Sequence, residues 1–354
     1  MKAIGIILAG GNNNRMKELT AKRAVPALPV AGSFRSIDFA LSSMSNSHIQ
    51  TVAVLTQYNA RSLNEHLSSS KWWNFGRKQG GLFLFTPTVT ADNSDWYRGT
   101  ADAMYQNIDF LKRRHEPYVI ISSGDCVYKL DFNRVLDFHI EKKSDITVVC
   151  KDMMYNDDVS RFGVVRMDDE SRITEFDEKP IEALSNTIST GIYVIRRRQL
   201  IELLEAAAEE NRFDFVNDIL VRYKNVKKIY GYKINSYWNN IADIDAYFKT
   251  NMDFLRPDVR SYFFREEPTI CSKVDDLPPA KFNPGSDISN SLVSSGCIIN
   301  GSVEDSVLFK QVFVGKNTTV KNCVILNDVY IGDNVHLENC IVAVSYTHLR
   351  AHET

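Results

Sequence analysis

The stretch from 303 to 342 repeats itself, and that periodicity constrains the fold more than any other feature. VEDSVL begins at 303, VKNCVI at 320 and LENCIV at 337, an offset of 17 residues both times. VFVGKN (312–317) and VYIGDN (329–334) return at the same offset. Within each period apolar residues recur about every six positions, which predicts a parallel β-helix built from roughly hexapeptide units. Such a unit cannot bury its apolar residues alone and does so against its neighbours. A small β-sandwich with chance similarity is the bland alternative. From about Ser345 the sequence SYTHLRAHET drops the pattern without a cap. Residues 286–345 are therefore expected to form an incomplete β-helix, and 346–354 a tail foreign to it. An uncapped coil exposes an apolar edge, which predicts partner contact or poor behaviour there. His348 and His352 have i, i+4 spacing, but no acidic or cysteine partner follows, so no metal site is expected.

Residues 1–250 read differently. KAIGIILAG, TVAVLTQ, PYVIISSGD, DITVVC and TGIYVI are strand patterns, and DAMYQNIDFLKRR and RRRQLIELLEAAAEE between them have helical spacing. Strand–helix alternation points to a parallel or mixed sheet covered on both faces. Ligands of such sheets bind beyond the carboxyl ends of the strands, where GGNNNR, TQY and GDCVY fall. The stretch 251–285, with DDLPPAKFNPG, reads as a linker.

Charge and cysteine usage exclude several classes. A net charge of −2 and a pI near 6.4 give no electrostatic reason to expect nucleic acid or an anionic membrane. The apolar run Ile4–Ala9 is too short for a signal peptide or a spanning helix. Six cysteines without a C-x-x-C are expected to be buried thiols in a reducing cytoplasm.

Four stretches can carry chemistry. In GGNNNRM (10–16), Gly10 and Gly11 let backbone N–H groups approach phosphate, and Arg15 is a candidate bidentate clamp. The stretch matches neither a dinucleotide fingerprint nor a Walker loop, and an ordinary turn explains it as well. In SSGDCVY, Asp125 follows an apolar strand and suits Mg²⁺ when phosphates complete the shell; capping of the next turn is the alternative. In FDEKP, Glu178 and Lys179 could meet a sugar phosphate or form an exposed salt bridge. WYRGTADA (96–103) could close over a base or simply cap a helix.

Together and in this order, with FRSIDFALS, STGIY, LPPAKF and SLVSSGCIINGSVEDSVL, these stretches resemble the glucose-1-phosphate adenylyltransferases, or ADP-glucose pyrophosphorylases. The resemblance implies a Rossmann-like α/β nucleotidyltransferase domain followed by a left-handed parallel β-helix, assembled as a tetramer. It implies joining of the α-phosphate of ATP to glucose 1-phosphate, with release of pyrophosphate and with Mg²⁺ as cofactor. Onto matching positions it carries nucleotide contacts to Leu8, Ala9, Gly10, Gly11, Gln57, Gly99 and Thr100. It carries catalytic roles to Arg15 and Asp125, and sugar-phosphate contacts to Glu178, Lys179, Ser189, Gly191 and Asp214.

Three positions depart from the family pattern. Asn13 stands for a glycine of the triphosphate loop, Val25 for a lysine in KRAVPAL, and Asn240 in YWNNIAD for the aspartate that shares the metal with Asp125. Cys126, Thr190 and Val216 are lesser departures. The pattern resembles a GlgD-type regulatory subunit that modulates a catalytic subunit in a heterotetramer. A homo-oligomeric, active adenylyltransferase is the alternative, and an acyltransferase using His336 on the β-helix is a weaker third.

Overall fold

A computed structural model describes residues 2–11, 14–76, 80–88, 96–154 and 157–343, and the backbone of 348–349. The first strand, Ala3–Ala9, is apolar along almost its whole length because it is central in a sheet. It pairs in parallel with Thr51–Thr56 on one side and Tyr118–Ser123 on the other. Gly81–Phe85 extends the sheet in parallel beyond Thr51–Thr56. On the other flank Thr187–Arg196 runs antiparallel to Tyr118–Ser123 and to Ile146–Asp152. The hairpin Gly163–Met167/Ile173–Glu178 closes that edge. The sheet is thus mixed, as alternating elements with interspersed hairpins require.

Helices cover both faces. Ser36–Asn46 and Phe132–Glu141 bury Ile37, Leu41, Met44, Val135 and Leu136 on one side. Thr100–Tyr105 and Arg197–Glu209 bury Met104, Leu200, Leu203 and Leu204 on the other. Burial on both faces is why the inner strands read as continuous apolar runs rather than alternating ones.

From 281 onward, short parallel strands stack in three sheets, forming a triangular coil. The repeat is visible as register: Val303 lies on Val320 and Val320 on Leu337, while Val307, Val324 and Ile341 form a second column. Asn290, Asn317, Asn322, Asn334 and Asn339 take positive φ between 39° and 60°, the conformation asparagine tolerates best after glycine. Stacked carboxamides reinforce two of these columns, Asn317 to Asn334 at 3.2 Å and Asn322 to Asn339. The backbone of His348–Leu349 pairs in parallel with Tyr330–Ile331. The ladder therefore continues past Ser345, since backbone pairing does not need the side-chain repeat.

The stretch read as a linker is partly folded. Pro257 starts a helix, Pro257–Phe264, that buries Val259 and Phe263. Phe263 meets Phe39 edge-on at 5.3 Å. These residues, with Tyr247 and Phe254, join Met16, Leu19, Val25 and Leu28 to Val307, Phe309 and Val324 of the coil in one apolar cluster. Cys126, Cys150, Cys297 and Cys323 are buried, whereas Cys271 is exposed and Cys340 half-buried. The last two depart from the expectation because one lies in extended chain and the other at the end of the coil. Among the described residues no helix is long and apolar enough to cross a membrane.

Candidate functional site

Three neighbouring parallel strands end at the same edge, and their ends form a cavity of about 530 Å³. Leu8, Ala9, Gly10 and Gly11 come from the first, Leu55 and Gln57 from the second, and Ser123 and Asp125 from the third. A loop and helix start, Tyr97, Arg98, Gly99, Thr100 and Ala103, form the facing wall, and Val25 and Pro26 the floor. The seven residues expected at a nucleotide thus line one cavity with Asp125 and Val25. Tyr58, Tyr97, Arg98, Pro26 and Ser123 join them without having been singled out. TQY, WYRGTADA and SSGD were the available signals for most of these.

Close packing shapes this cavity. Gln57 holds the facing loop by both ends of its amide: Oε1 accepts the Tyr97 N–H at 2.8 Å and Nε2 donates to the Tyr97 carbonyl at 3.3 Å. Tyr58 and Trp96 stack at its mouth with ring centroids 5.3 Å apart. A Cβ on Gly99 would stand 2.3 Å from the Phe213 carbonyl oxygen, so only glycine lets these segments touch. The Thr100 hydroxyl accepts the Phe215 N–H at 2.8 Å and donates to Asp214 Oδ2 at 3.4 Å.

Asp125 Oδ1 accepts from the Ser123 hydroxyl at 2.5 Å and from the Cys126 thiol at 3.5 Å. Burial, with the Asp125 carboxylate next to it, pushes the Cys126 thiol well above its ordinary range, so it stays protonated. Asn240 lies opposite Cys126 in an antiparallel pair, and Ile241 N–H donates to the Asp125 carbonyl at 3.0 Å. Position 240 is therefore beside Asp125, but its carboxamide is already engaged. Its Oδ1 accepts from Ala242 N–H at 3.0 Å and its Nδ2 donates to Cys126 Sγ at 3.4 Å. No group of three or more His, Cys, Asp or Glu able to hold a metal occurs among the described residues.

The five sugar-phosphate positions are not among the residues lining the cavity: Glu178 and Lys179 lie at the end of the hairpin strand Ile173–Glu178, Ser189 and Gly191 on the strand Thr187–Arg196, and Asp214 just before the short helix Val216–Val221. Gly191, at φ +73°, sits in an irregularity of the Thr187–Arg196 strand that shifts its register against Ile146–Asp152. The Ser189 hydroxyl donates to the Tyr193 hydroxyl at 3.3 Å. Lys179 Nζ stands 3.2 Å from Glu178 Oε1. Burial raises the Glu178 carboxyl, Lys179 opposes that rise, and Asp214 adds to it. Burial raises the Tyr193 hydroxyl; its bond from Ser189 opposes the rise, and Glu178 and Asp214 add to it. Arg15 is exposed on the short helix Asn14–Thr20 and is not among the lining residues. Asn13 lies outside the described residues.

Comparison with known proteins agrees with this arrangement. Residues 4–256 match the nucleotidyl transferase family, and residues 278–347 the GlmU-like C-terminal hexapeptide family, the left-handed β-helix repeat. The glucose-1-phosphate adenylyltransferase of Clostridium novyi (strain NT) is 38% identical over 90% of this chain and 84% of its own length. That of Pseudothermotoga lettingae is 39% identical over 90% of this chain and 76% of its own. The Bacillus subtilis (strain 168) protein of the same name is 37% identical over 90% and 84%. A mixed sheet whose strand ends frame the cavity, the coil that follows it in the chain and these likenesses over nine-tenths of the chain lead to one assignment: the chain belongs to the nucleotidyl transferase family and, within it, to the glucose-1-phosphate adenylyltransferases.

Proposed function

We propose that this chain binds the ligands of a glucose-1-phosphate adenylyltransferase, turns them over slowly or not at all, and modulates a catalytic subunit of ADP-glucose synthesis in the manner of a GlgD-type partner. One observation carries the proposal. Among the described residues lining the cavity, Asp125 is the one carboxylate and Arg98 the one cation. Val25, where the resemblance implies lysine, is packed into the apolar cluster with Met16, Leu19 and Leu28. Asn240, where it implies a second carboxylate, has both carboxamide ends bonded.

Transfer to a phosphate ester depends on positioning and charge neutralisation more than on covalent help. Loss of one donor to transition-state charge costs about 10²–10³ in rate. The donor set fits Mg²⁺ in a reduced form: Asp125 would hold the ion, with phosphate oxygens completing the shell. Bound Mg²⁺ neutralises phosphate charge; Gln57, Gly99 and Thr100 frame the space for the nucleotide. The alternative, an active adenylyltransferase, is favoured by the presence of Asp125 in the cavity wall and by the printed names of the relatives.

Pyrophosphate release from ATP, Mg²⁺ and glucose 1-phosphate separates the two. The expected result is little turnover by the chain alone and an altered rate, affinity or effector response when a catalytic paralogue is added. Robust turnover alone sinks the weakened-enzyme reading, and an unchanged partner sinks the modulating role. Asn13→Gly, Val25→Lys and Asn240→Asp combined are expected to raise turnover in a chain that remains folded.

A further inference from the structure

The coil stacks equivalent side chains from turn to turn, and one such column is Ser306, Cys323 and Cys340, spaced 17 residues apart. In its first step the Ser306 hydroxyl oxygen accepts the Cys323 N–H at 3.0 Å. In its second step the two sulfur atoms face each other at 3.5 Å. The flanking backbone is fixed, with Val324 paired to Ile341 and the Val324 N–H donating to the Cys340 carbonyl at 2.9 Å. Adjacent parallel strands lie about 4.8 Å apart, within the span of about 4.4–6.8 Å between Cα atoms that a disulfide bridges. Bond formation needs the sulfurs, 3.5 Å apart, to close by roughly 1.5 Å to the disulfide length.

We propose that Cys323 and Cys340 form a reversible disulfide between adjacent coils, made by exchange with a low-molecular-weight disulfide such as oxidised glutathione. Cys340, the half-buried member, is the point of entry, and Cys323 is buried behind it. The Cys340 thiolate attacks one sulfur of RS–SR, forming a mixed disulfide and releasing RS⁻. The Cys323 thiolate then attacks the Cys340 sulfur, the intercoil S–S bond forms and the second RS⁻ leaves. The two protons of the protein thiols end on the two RS⁻ groups. The protein pair loses two electrons and the small disulfide gains them. Excess small thiol reverses both steps. The hydrogen bond between the thiols lowers Cys323 and raises Cys340, so entry at Cys340 follows from its exposure, and the lowered Cys323 favours the closing attack.

The bond has a structural consequence beyond the coil. Ile341, next to Cys340, lines a cavity of about 590 Å³ with Met16 and Leu19, on the segment that follows Gly10 and Gly11. A bridge at Cys340 therefore ties down the turn that faces the nucleotidyltransferase part.

The full native chain, its fold checked by circular dichroism, is incubated with oxidised glutathione, alkylated, digested and analysed by mass spectrometry. The expected product lacks two hydrogen masses, yields a linked peptide pair containing Cys323 and Cys340, and returns to the dithiol with dithiothreitol. Treatment of a Cys323→Ser variant should stop at the mixed disulfide on Cys340. A stable glutathione adduct on Cys340 with Cys323 still a free thiol in the wild-type chain overturns the proposal. So does the absence of reaction at both. The wild-type result decides alone if the variant does not fold.

Discussion

Replacing Gly99 with alanine tests whether the cavity depends on one close backbone approach. The backbone there is extended, with φ −179°, which any residue adopts; the cost is steric. An added Cβ would lie 2.3 Å from the Phe213 carbonyl oxygen and 2.7 Å from its carbon. To reach an ordinary carbon–oxygen contact of about 3.3 Å, the oxygen must retreat by roughly 1 Å. That oxygen accepts N–H groups from Ala101 at 2.8 Å and Asp102 at 3.2 Å, and both bonds would be stretched beyond useful length. The Phe215 N–H bond to Thr100, one residue away, is strained with them. Two or three such bonds are worth about 1–4 kcal/mol in total. Urea denaturation should therefore show a lower midpoint for Gly99→Ala with an unchanged slope. Gly11→Ala is the control: it lines the same cavity, but its built Cβ meets nothing within 4 Å, so its effect should stay within about 0.5 kcal/mol. Equal midpoints for Gly99→Ala and wild type, or an equal loss in Gly11→Ala, would refute the steric argument.

Other expectations follow from the same geometry. Burial lowers the His139 pKa to about 4, below its ordinary value near 6.5. The buried imidazole is neutral, and its contribution is complete above pH 6.5 and lost as pH falls through 4, by at most about 3 kcal/mol. The stability difference between wild type and His139→Gln, measured in urea, should shift by an amount of that order between pH 7.5 and pH 4. No change in that difference would contradict the linkage. Gln57→Leu removes both bonds to Tyr97 and should weaken ATP binding several-fold by calorimetry; unaltered affinity counts against the facing loop as part of the site. Gly191→Ala forces a side chain into φ +73° and should cost about 1–2 kcal/mol of stability, read as a lower thermal midpoint.

Much of this site was legible in the sequence because it sits where apolar strands end. TVAVLTQ and PYVIISSGD bracket their own carboxyl ends, so Gln57 and Asp125 could be placed at one sheet edge before any pairing was known. The proximity of Arg15 to Gly11 in the chain suggested a clamp; the structure carries it exposed on the short helix Asn14–Thr20, outside the lining residues, a position that chain proximity alone does not give. The helix Pro257–Phe264 was hidden for a related reason: a proline opens it and only Val259 and Phe263 are buried. The joint core of the two parts was invisible because its contacts are distant in sequence. The Ser33 hydroxyl donates to the Ser294 hydroxyl of the coil at 3.5 Å across 261 residues, and Val25 and Leu28 share a cluster with Val307 and Phe309.

The same contacts decide which residues inform on function. Gly99 admits the Phe213 carbonyl, Thr100 accepts the Phe215 N–H, and Gln57 fastens Tyr97. Each would be retained by the fold whether or not the cavity catalyses anything, because losing it opens a gap or orphans a backbone group. Their presence therefore weighs little between an active and a weakened enzyme. Positions 25 and 240 differ. Lysine and aspartate there would add charge at the cavity floor and beside Asp125, without any scaffold contact that valine or asparagine could not replace. Here valine is 4% exposed in an apolar cluster, and the asparagine carboxamide is spent on Ala242 and Cys126. The replacements are integrated into the packing on the side where charge would be handled. For that reason the proposed loss of turnover rests on these two positions, while the intact cavity supports continued binding.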